Sequence, residues 1–394
     1  MKINIHKIKV FLPILILLLF TLPNINESYF IDEIYSVHNA KTLDEIFLDV
    51  HPPLYTLTLK VWIYFFGDGE VLTRILSLIA GIIAVYLLSQ INFNAGLLLS
   101  ISPIVHDVSV TTRGYSLLLL FGVLALYFLV KEKKYIFIPT VLMSLTHYFG
   151  LFTSLGIHAY EIIKKRNRES VINFVVFLVI ISSWTIFHFT QMNLNAGGWI
   201  TELKLLEFFS GALGSTYEYA FVLWFLLIWK MPFMERIIFS FALIPPVILS
   251  LIRPQLYAHY TLALVPFTMY YIGKKYKGKQ FVYILLIFLI MLFMSSPIFM
   301  KQDYRAASAM IAEYENPMII SLEVDQSYYF DETKVCGHEI CIEWAILEEH
   351  DSIWMINGAF ADADYYSKPL LDNYEETIFW FESLEVRRYL AIER

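Results

Sequence analysis

Runs of uninterrupted apolar residues decide what this chain can fold into. VFLPILILLLF at 10–20, VINFVVFLVIISSW at 171–184 and FVYILLIFLIMLFMSSPIF at 281–299 are three of them. A hydrocarbon core about 30 Å thick is crossed by about 20 helical residues. Inside it the backbone must satisfy its own N–H and C=O groups, so the runs are predicted to be helices. Eleven spans are expected, near residues 9–23, 71–89, 92–105, 114–130, 135–150, 149–163, 171–189, 217–230, 236–252, 259–273 and 280–297. The fifth and sixth share a tight turn around 148–150. Only 16% of residues are charged and 58% are hydrophobic, whereas about a quarter are charged in ordinary soluble domains. The first run has no small-x-small cleavage site and leads into Leu22-Pro23-Asn24, so it reads as an anchor rather than a removable signal.

Charge divides the chain. Residues 301–394 carry 20 acidic and 7 basic side chains, a net of −13, while the first 300 carry 16 acidic and 22 basic, a net of +6. The expected organisation is an α-helical polytopic membrane domain over 1–300, with a polar outside loop at 24–70, and a small acidic α/β domain over 301–394. In the second, 303–315 reads as an amphipathic helix and PMIISLE, DSIWMIN and VRRYLAI as strands.

Within the membrane domain, sixteen Lys and Arg fall in alternate connections: Lys2, Lys7, Lys9, Lys131, Lys133, Lys134, Lys164, Lys165, Arg166, Arg168, Lys230, Arg236, Lys274, Lys275, Lys277 and Lys279. Six lie on the other side: Lys41, Lys60, Arg74, Arg113, Lys204 and Arg253. The positive-inside rule places the N-terminus in the cytoplasm and, with an odd number of spans, the acidic domain outside. A multi-pass protein of the cell membrane is expected.

The 24–70 loop holds most of the polar chemistry. Asp44, Glu45, Asp68 and Glu70 read as solvating carboxylates, and LYTLTLKVWIYFF as a helix lying along the interface. Asp32-Glu33 differs, because Tyr29-Phe30-Ile31 and Ile34-Tyr35 give it an apolar setting suited to general-base work. At His51-Pro52-Pro53-Leu54-Tyr55, two prolines push His51 to an extended conformation and open a helix.

Taken in order, these segments resemble the membrane-embedded C-type glycosyltransferases, specifically the polyprenyl-phosphate-sugar-dependent superfamily of protein mannosyltransferases and aminoarabinose transferases (glycosyltransferase family 39-like). Asp32-Glu33 is similar to the acidic pair of that family's first outside loop. HPPLY at 51–55, with Trp62, Phe66-Gly67, Glu70, Arg74 and Ser77, resembles its HPPLYY…W…FG-x-x-E…R…S segment. Ser102-Pro103 and Arg113-Gly114-Tyr115 resemble SP…SQEAR-x-Y, Thr146-His147-Tyr148-Phe149-Gly150 a THYFG element, and Arg253-Pro254 with Tyr260 an RP…RY motif. Gln302-Asp303-Tyr304-Arg305-Ala306-Ala307 is similar to the QDWRAAA that opens the outside domain. Two departures stand out: Val110-Thr111 replaces Gln-Glu, with His106-Asp107 a few residues earlier, and His259 offers a titratable ring where the family has a fixed cation.

The resemblance implies an inverting transfer of a sugar from a polyprenyl-phosphate donor to a hydroxyl of a protein, lipid or glycan on the extracytoplasmic face. Asp32 is then the expected base, with Glu33 orienting it. Arg113, Arg253, His259, Tyr115, Tyr260, Arg74 and Lys60 are expected around the donor phosphate, for which guanidinium offers paired hydrogen bonds. His51, Pro52, Pro53, Tyr55, His106, Asp107, His147 and Tyr148 are expected to line the substrate cavity. Asp32, Glu33, His106 and Asp107 are hard ligands that suit a divalent cation, Mg or Mn, though no spacing demands one. Membrane lipid is a partner and nucleic acid is not.

Each residue also has a plainer reading. Arg113 and Arg253 equally suit headgroup anchors, His147 a packed core histidine, Tyr115 and Tyr260 belt aromatics, and Asp107 a partner of Arg113. Cys336 and Cys341, in CGHEIC, read as a local disulfide outside the cell, or with His338 as an incomplete zinc site. Asn26-Glu27-Ser28 fits a glycosylation sequon. Two rival functions remain: a multi-pass transporter or flippase, and a non-catalytic relative acting in envelope glycan assembly, for which Val110-Thr111 speaks.

Overall fold

The three long apolar runs are helical over their described residues. The computed structural model describes residues 5–49, 51–191, 204–215, 217–252, 256–294, 303–313, 318–321, 335–337, 352–357, 374–381 and 384–391. Among the described residues, three helices are long and apolar enough to cross a membrane, Glu70–Ile91, Arg168–His188 and Phe233–Ile252. Shorter apolar helices include Val10–Asn24, Leu54–Phe66, Tyr115–Val130, Phe137–Thr146 and Gly278–Met294. The chain forms two compact units, Met1–Ile25 with Asn39–Ile298, and Asn26–His38 with Phe299–Arg394.

Two expected spans are interrupted. The run at 92–105 is a helix at Phe93–Ser100, a break, and a second helix at Pro103–Ser109. Pro103 pushes the residue before it out of helical geometry, and Ser102 is extended, at φ −76° and ψ 120°. The Ser102 hydroxyl donates to the Gly214 carbonyl at 2.6 Å. Gly214 itself sits at φ +81°, a conformation glycine adopts without strain. The run at 259–273 opens as a 3-10 turn, Ala258–Thr261, and becomes α-helical only at Val265–Lys275, with proline in its first turn.

The turn between the fifth and sixth spans falls at His147, one residue before its expected place. His147 is extended (φ −157°, ψ 138°) and its Nδ1 accepts the Phe149 N–H at 3.2 Å, so the ring caps the Tyr148–Lys165 helix. An imidazole here fills the role more often given to Ser, Thr, Asp or Asn.

The Leu205–Gly211 helix seats the Ala258–Thr261 turn, and a β-carbon on Gly211 would run into the Ala258 carbonyl. Gly211→Ala is therefore expected to destabilise the protein by about 1–3 kcal/mol. Thermal unfolding in detergent checks this. An unchanged Tm would show that the two segments tolerate separation.

In the second unit, the strands are β1 (Met318–Ser321), β2 (Val335–Gly337), β3 (Ser352–Asn357), β4 (Tyr374–Phe381) and β5 (Leu384–Ala391), in sheet order β2-β1-β3-β5-β4. β1 runs parallel to β2 and β3, while β5 runs antiparallel to β3 and β4. β1, β3 and β5 fall on the strands expected from sequence. β2 and β4 are additions to them, β4 because its YEETIFWF alternates weakly. Trp354, Tyr389, Ile353 and Val386 are buried. The Glu376 carboxylate accepts from the Tyr389 hydroxyl at 2.6 Å and from Arg387 at 3.1 Å. Asp303 caps the Tyr304–Ile311 helix through the Ala306 N–H, at 3.0 Å. Cys341 and His338 lie outside the described residues, and with them the disulfide and zinc readings.

Candidate active site

The first unit gathers a polar corner beside a wall of aromatic rings. The corner begins at the Leu43–Leu48 helix, which Thr42 caps by accepting the Glu45 N–H at 3.2 Å. Asp49 closes that helix in an extended conformation and folds its carboxylate back onto the next turn. Oδ1 accepts the main-chain N–H of His51 at 3.3 Å and stands 3.1 Å from His51 Nδ1. Pro52 and Pro53 then lead into the Leu54–Phe66 helix.

Arg113 reaches the other side of the same ring, with Nη2 3.5 Å from His51 Nε2. A guanidinium only donates, so Nε2 accepts and Nδ1 carries the proton toward Asp49. The Arg113 turn is anchored from below. Ser77 donates to the Thr111 carbonyl at 2.6 Å, and the hydroxyls of Thr73 and Thr112 meet at 2.9 Å. Val110 and Thr111 are buried, so the departure from Gln-Glu sits in a packed turn. Gly114 lets that turn close against Tyr55, whose Cβ would lie 3.2 Å from an added β-carbon.

The wall joins the corner through Tyr115, whose ring faces the Arg113 guanidinium at 5.9 Å. Tyr115 lies 4.2 Å from the His259 ring and 5.7 Å from His147. His147 is 4.9 Å from Tyr260 and 6.2 Å from His51. Tyr257 stacks on His259 at 5.3 Å, and the Lys204 ammonium sits 4.8 Å from the Tyr257 centroid. Burial pushes the Glu207 carboxyl up, against the pull of Lys204 at 3.6 Å and of the Ala258 N–H. His51, the Arg113–Tyr115 turn, His147 and the His259–Tyr260 pair, from four distant places in the chain, are thus neighbours.

Other expected residues are engaged by their own surroundings. Lys60 donates to the carbonyls of Ala40 (3.1 Å) and Lys41, tying the Leu54–Phe66 helix to the loop. Arg74 is buried and donates to the Ile25 carbonyl at 3.2 Å. His106 is buried, with Nδ1 2.9 Å from the Thr21 hydroxyl. Asp107 accepts the Thr111 hydroxyl at its main-chain carbonyl, 3.2 Å away. Tyr55 packs among Leu59, Leu76 and Leu117. Arg253 lies outside the described residues. Among the described residues, no three His, Cys, Asp or Glu side chains come together as a metal site.

Asp32 and Glu33 lie in the first turn of the Ile31–Asn39 helix, within the second unit. Glu33 is fully buried and its carboxylate accepts the Phe30 N–H at 3.2 Å, capping the helix. Asp32 is partly exposed, and its main-chain carbonyl accepts from Ser36 at 3.0 Å.

Sequence reasoning gives no role to Asp49, His188, Trp184, Lys204, Glu207 or Tyr257. The Asp-x-His spacing of 49–51 is a visible signal. His188 carries none, being one polar residue near the end of an apolar helix. Its Nε2 donates to the Asp49 carbonyl at 2.5 Å, its Nδ1 accepts from the Tyr148 hydroxyl, and Trp184 stacks on it at 5.2 Å.

Burial alone would raise the Asp49 pKa, but the charge and hydrogen bond of His51, the charge of Arg113 and a hydrogen bond from Asn39 bring it down to about 2 from 3.8. A depressed carboxylate pKa stabilises the fold above its unfolded value, and that contribution fades as pH falls toward the folded value. Wild type should therefore unfold at a higher temperature than Asp49→Asn at about pH 5, with the gap closing toward about pH 2. A gap independent of pH would show that the carboxylate's charge contributes nothing.

No protein-family model matches the sequence, and no curated protein does. Among solved structures, the chain is similar to the crystal structure of ArnT from Cupriavidus metallidurans in the apo state. The TM-score is 0.60 at 12% identity, with 97% of each chain covered. The same protein bound to undecaprenyl phosphate gives a TM-score of 0.59, again at 12% identity and 97% coverage of each. The chain shares that fold: a polytopic, mainly helical membrane protein of C-type glycosyltransferase architecture with a small C-terminal sheet, as the sequence resemblance implied.

Proposed function

We propose that this protein is an inverting glycosyltransferase that moves a sugar from a polyprenyl-phosphate lipid to a hydroxyl of a glycan, lipid or protein acceptor, on the extracytoplasmic face. The observation that carries the reading is the Arg113–His51 corner set against the Tyr115, His259, His147 and Tyr260 rings, in a fold shared with a protein solved with undecaprenyl phosphate. A fixed guanidinium beside an imidazole suits a phosphate leaving group, and ring faces suit a sugar.

The reaction balances simply. The acceptor oxygen bonds to the anomeric carbon as the bond from that carbon to the phosphate oxygen breaks. The hydroxyl proton passes to a carboxylate, and the polyprenyl phosphate leaves with a further negative charge beside Arg113. Asp32 takes the base role by its match to the family's acidic pair. The orientation follows from the distribution of Lys and Arg, with the N-terminus in the cytoplasm and the acidic domain outside.

The test is sugar transfer by the purified protein in lipid nanodiscs, with a panel of polyprenyl-phosphate sugars and membrane-extracted acceptors. Transfer from at least one donor is expected. No transfer from any donor, with native lipid and acceptor fractions supplied, would replace this reading by a transport or scaffold role.

A further inference from the structure

A lipid phosphate at the Arg113 corner needs that corner held in shape. The His51 side chain turns about two bonds, and a ring free to turn would present either nitrogen, or a C–H edge, to Arg113. Contacts on both sides of the ring prevent this. The Asp49 carboxylate grips His51 twice, at the main-chain N–H and at Nδ1, 3.3 and 3.1 Å away. His51 Nε2 is thereby aimed at Arg113 Nη2, 3.5 Å away. Asp49 is itself held from a distant helix, because His188 Nε2 donates to its carbonyl at 2.5 Å, with the Tyr148 hydroxyl bonded to Nδ1 of the His188 ring and Trp184 stacked on it.

We propose that Asp49 is a positioning residue of the donor site, a role that rests on the phosphate reading of the Arg113 corner. It sets the tautomer and orientation of His51 so that Nε2 accepts from the Arg113 guanidinium and holds its other donors toward the lipid phosphate, and His188 locks Asp49 in place. The chemistry follows from which atoms can donate. A carboxylate is an acceptor only, so it keeps the ring proton on Nδ1 and leaves Nε2 as the nitrogen that meets Arg113. A bound phosphate monoester has acceptor oxygens for the remaining guanidinium N–H groups, and the Asp49 carboxylate holds the ring that steadies them. The low pKa of Asp49 agrees with a carboxylate that serves two basic neighbours. His188 closes the chain of support by fixing a main-chain atom at the carboxylate's origin. Aligned hydrogen-bonding partners of this kind commonly decide how well an outer ligand performs.

The experiment is binding of undecaprenyl phosphate to the protein in nanodiscs, followed by intrinsic fluorescence, for wild type, Asp49→Asn, His51→Gln and the double variant, with Tm measured for each. Losing a hydrogen bond to a charged group is worth about a tenfold weakening, so Asp49→Asn is expected to bind about tenfold less tightly near neutral pH, at a Tm lowered only by the loss of the carboxylate's charge. In the His51→Gln background the same substitution is expected to change nothing further, because Asp49 acts through His51. A merely structural role would weaken binding in both backgrounds alike, which overturns the proposal, as does tight binding by Asp49→Asn. If Asp49→Asn does not fold, Asp49→Ser, which offers Nδ1 a neutral acceptor, carries the same cycle. Wild type that fails to bind undecaprenyl phosphate at all would instead overturn the phosphate reading of the site, and the positioning role with it.

Discussion

Asp32→Asn should remove sugar transfer while leaving the protein folded. Asparagine keeps the size and the acceptor oxygen of the side chain but cannot take the proton of the attacking hydroxyl. Loss of a general base costs about 10²- to 10⁴-fold in rate. Asp32 is partly exposed, and it is the Asp32 main-chain carbonyl that bonds to Ser36, so that hydrogen bond survives the change. Glu33 serves as the contrast. Its buried carboxylate caps the helix through the Phe30 N–H, a role that glutamine's carbonyl oxygen can also fill. Initial rates in nanodiscs for wild type, Asp32→Asn and Glu33→Gln separate the two. Transfer that survives in Asp32→Asn would keep the reaction class and remove Asp32 as its base.

Arg113→Ala is expected to lower kcat/KM by about 10²- to 10³-fold, the size of effect seen when one preorganised group facing developing charge is removed. The loss has two parts. The leaving phosphate loses a fixed cation with paired donors, and His51 Nε2 loses the donor now 3.5 Å away. Arg113→Lys should recover only part of the rate, since an ammonium is a point charge without the fork geometry. Steady-state rates against donor concentration, with folding checked by thermal unfolding, measure both variants. An Arg113→Ala enzyme within about threefold of wild type would identify Arg113 as a headgroup anchor at a helix end, a role for which exposed charge contributes little.

The helices were legible because a bilayer leaves the backbone no other way to satisfy its polar groups, so apolar length alone names them. Several local devices were legible too. HPPLY at 51–55 does open a helix, THYFG at 146–150 does mark a chain reversal, and three tail segments do form strands. These depend on neighbours in sequence, through the fixed φ of proline and the alternation of strand side chains. The interruptions at 101–102 and 258–264 were less legible, because a proline near the end of an apolar run is compatible with a helix start or a kink until its packing is seen. The roles of individual polar residues were the hardest. Lys60 and Arg74 read as phosphate ligands by charge and position, and each also donates to a main-chain carbonyl, a tie that charge alone does not announce; Ser77, one residue of a longer motif, holds the Arg113 turn.

The sequence by itself determined that the chain is a helical membrane protein with a small α/β tail, and which segments carry polar chemistry, because hydropathy and proline act over short range. Only the tertiary structure decided that His51 meets Arg113 across 62 residues and that His188 holds Asp49 across 139. Those pairings depend on which helix ends come together, and side chains on separate helices share no periodicity along the chain that would reveal it.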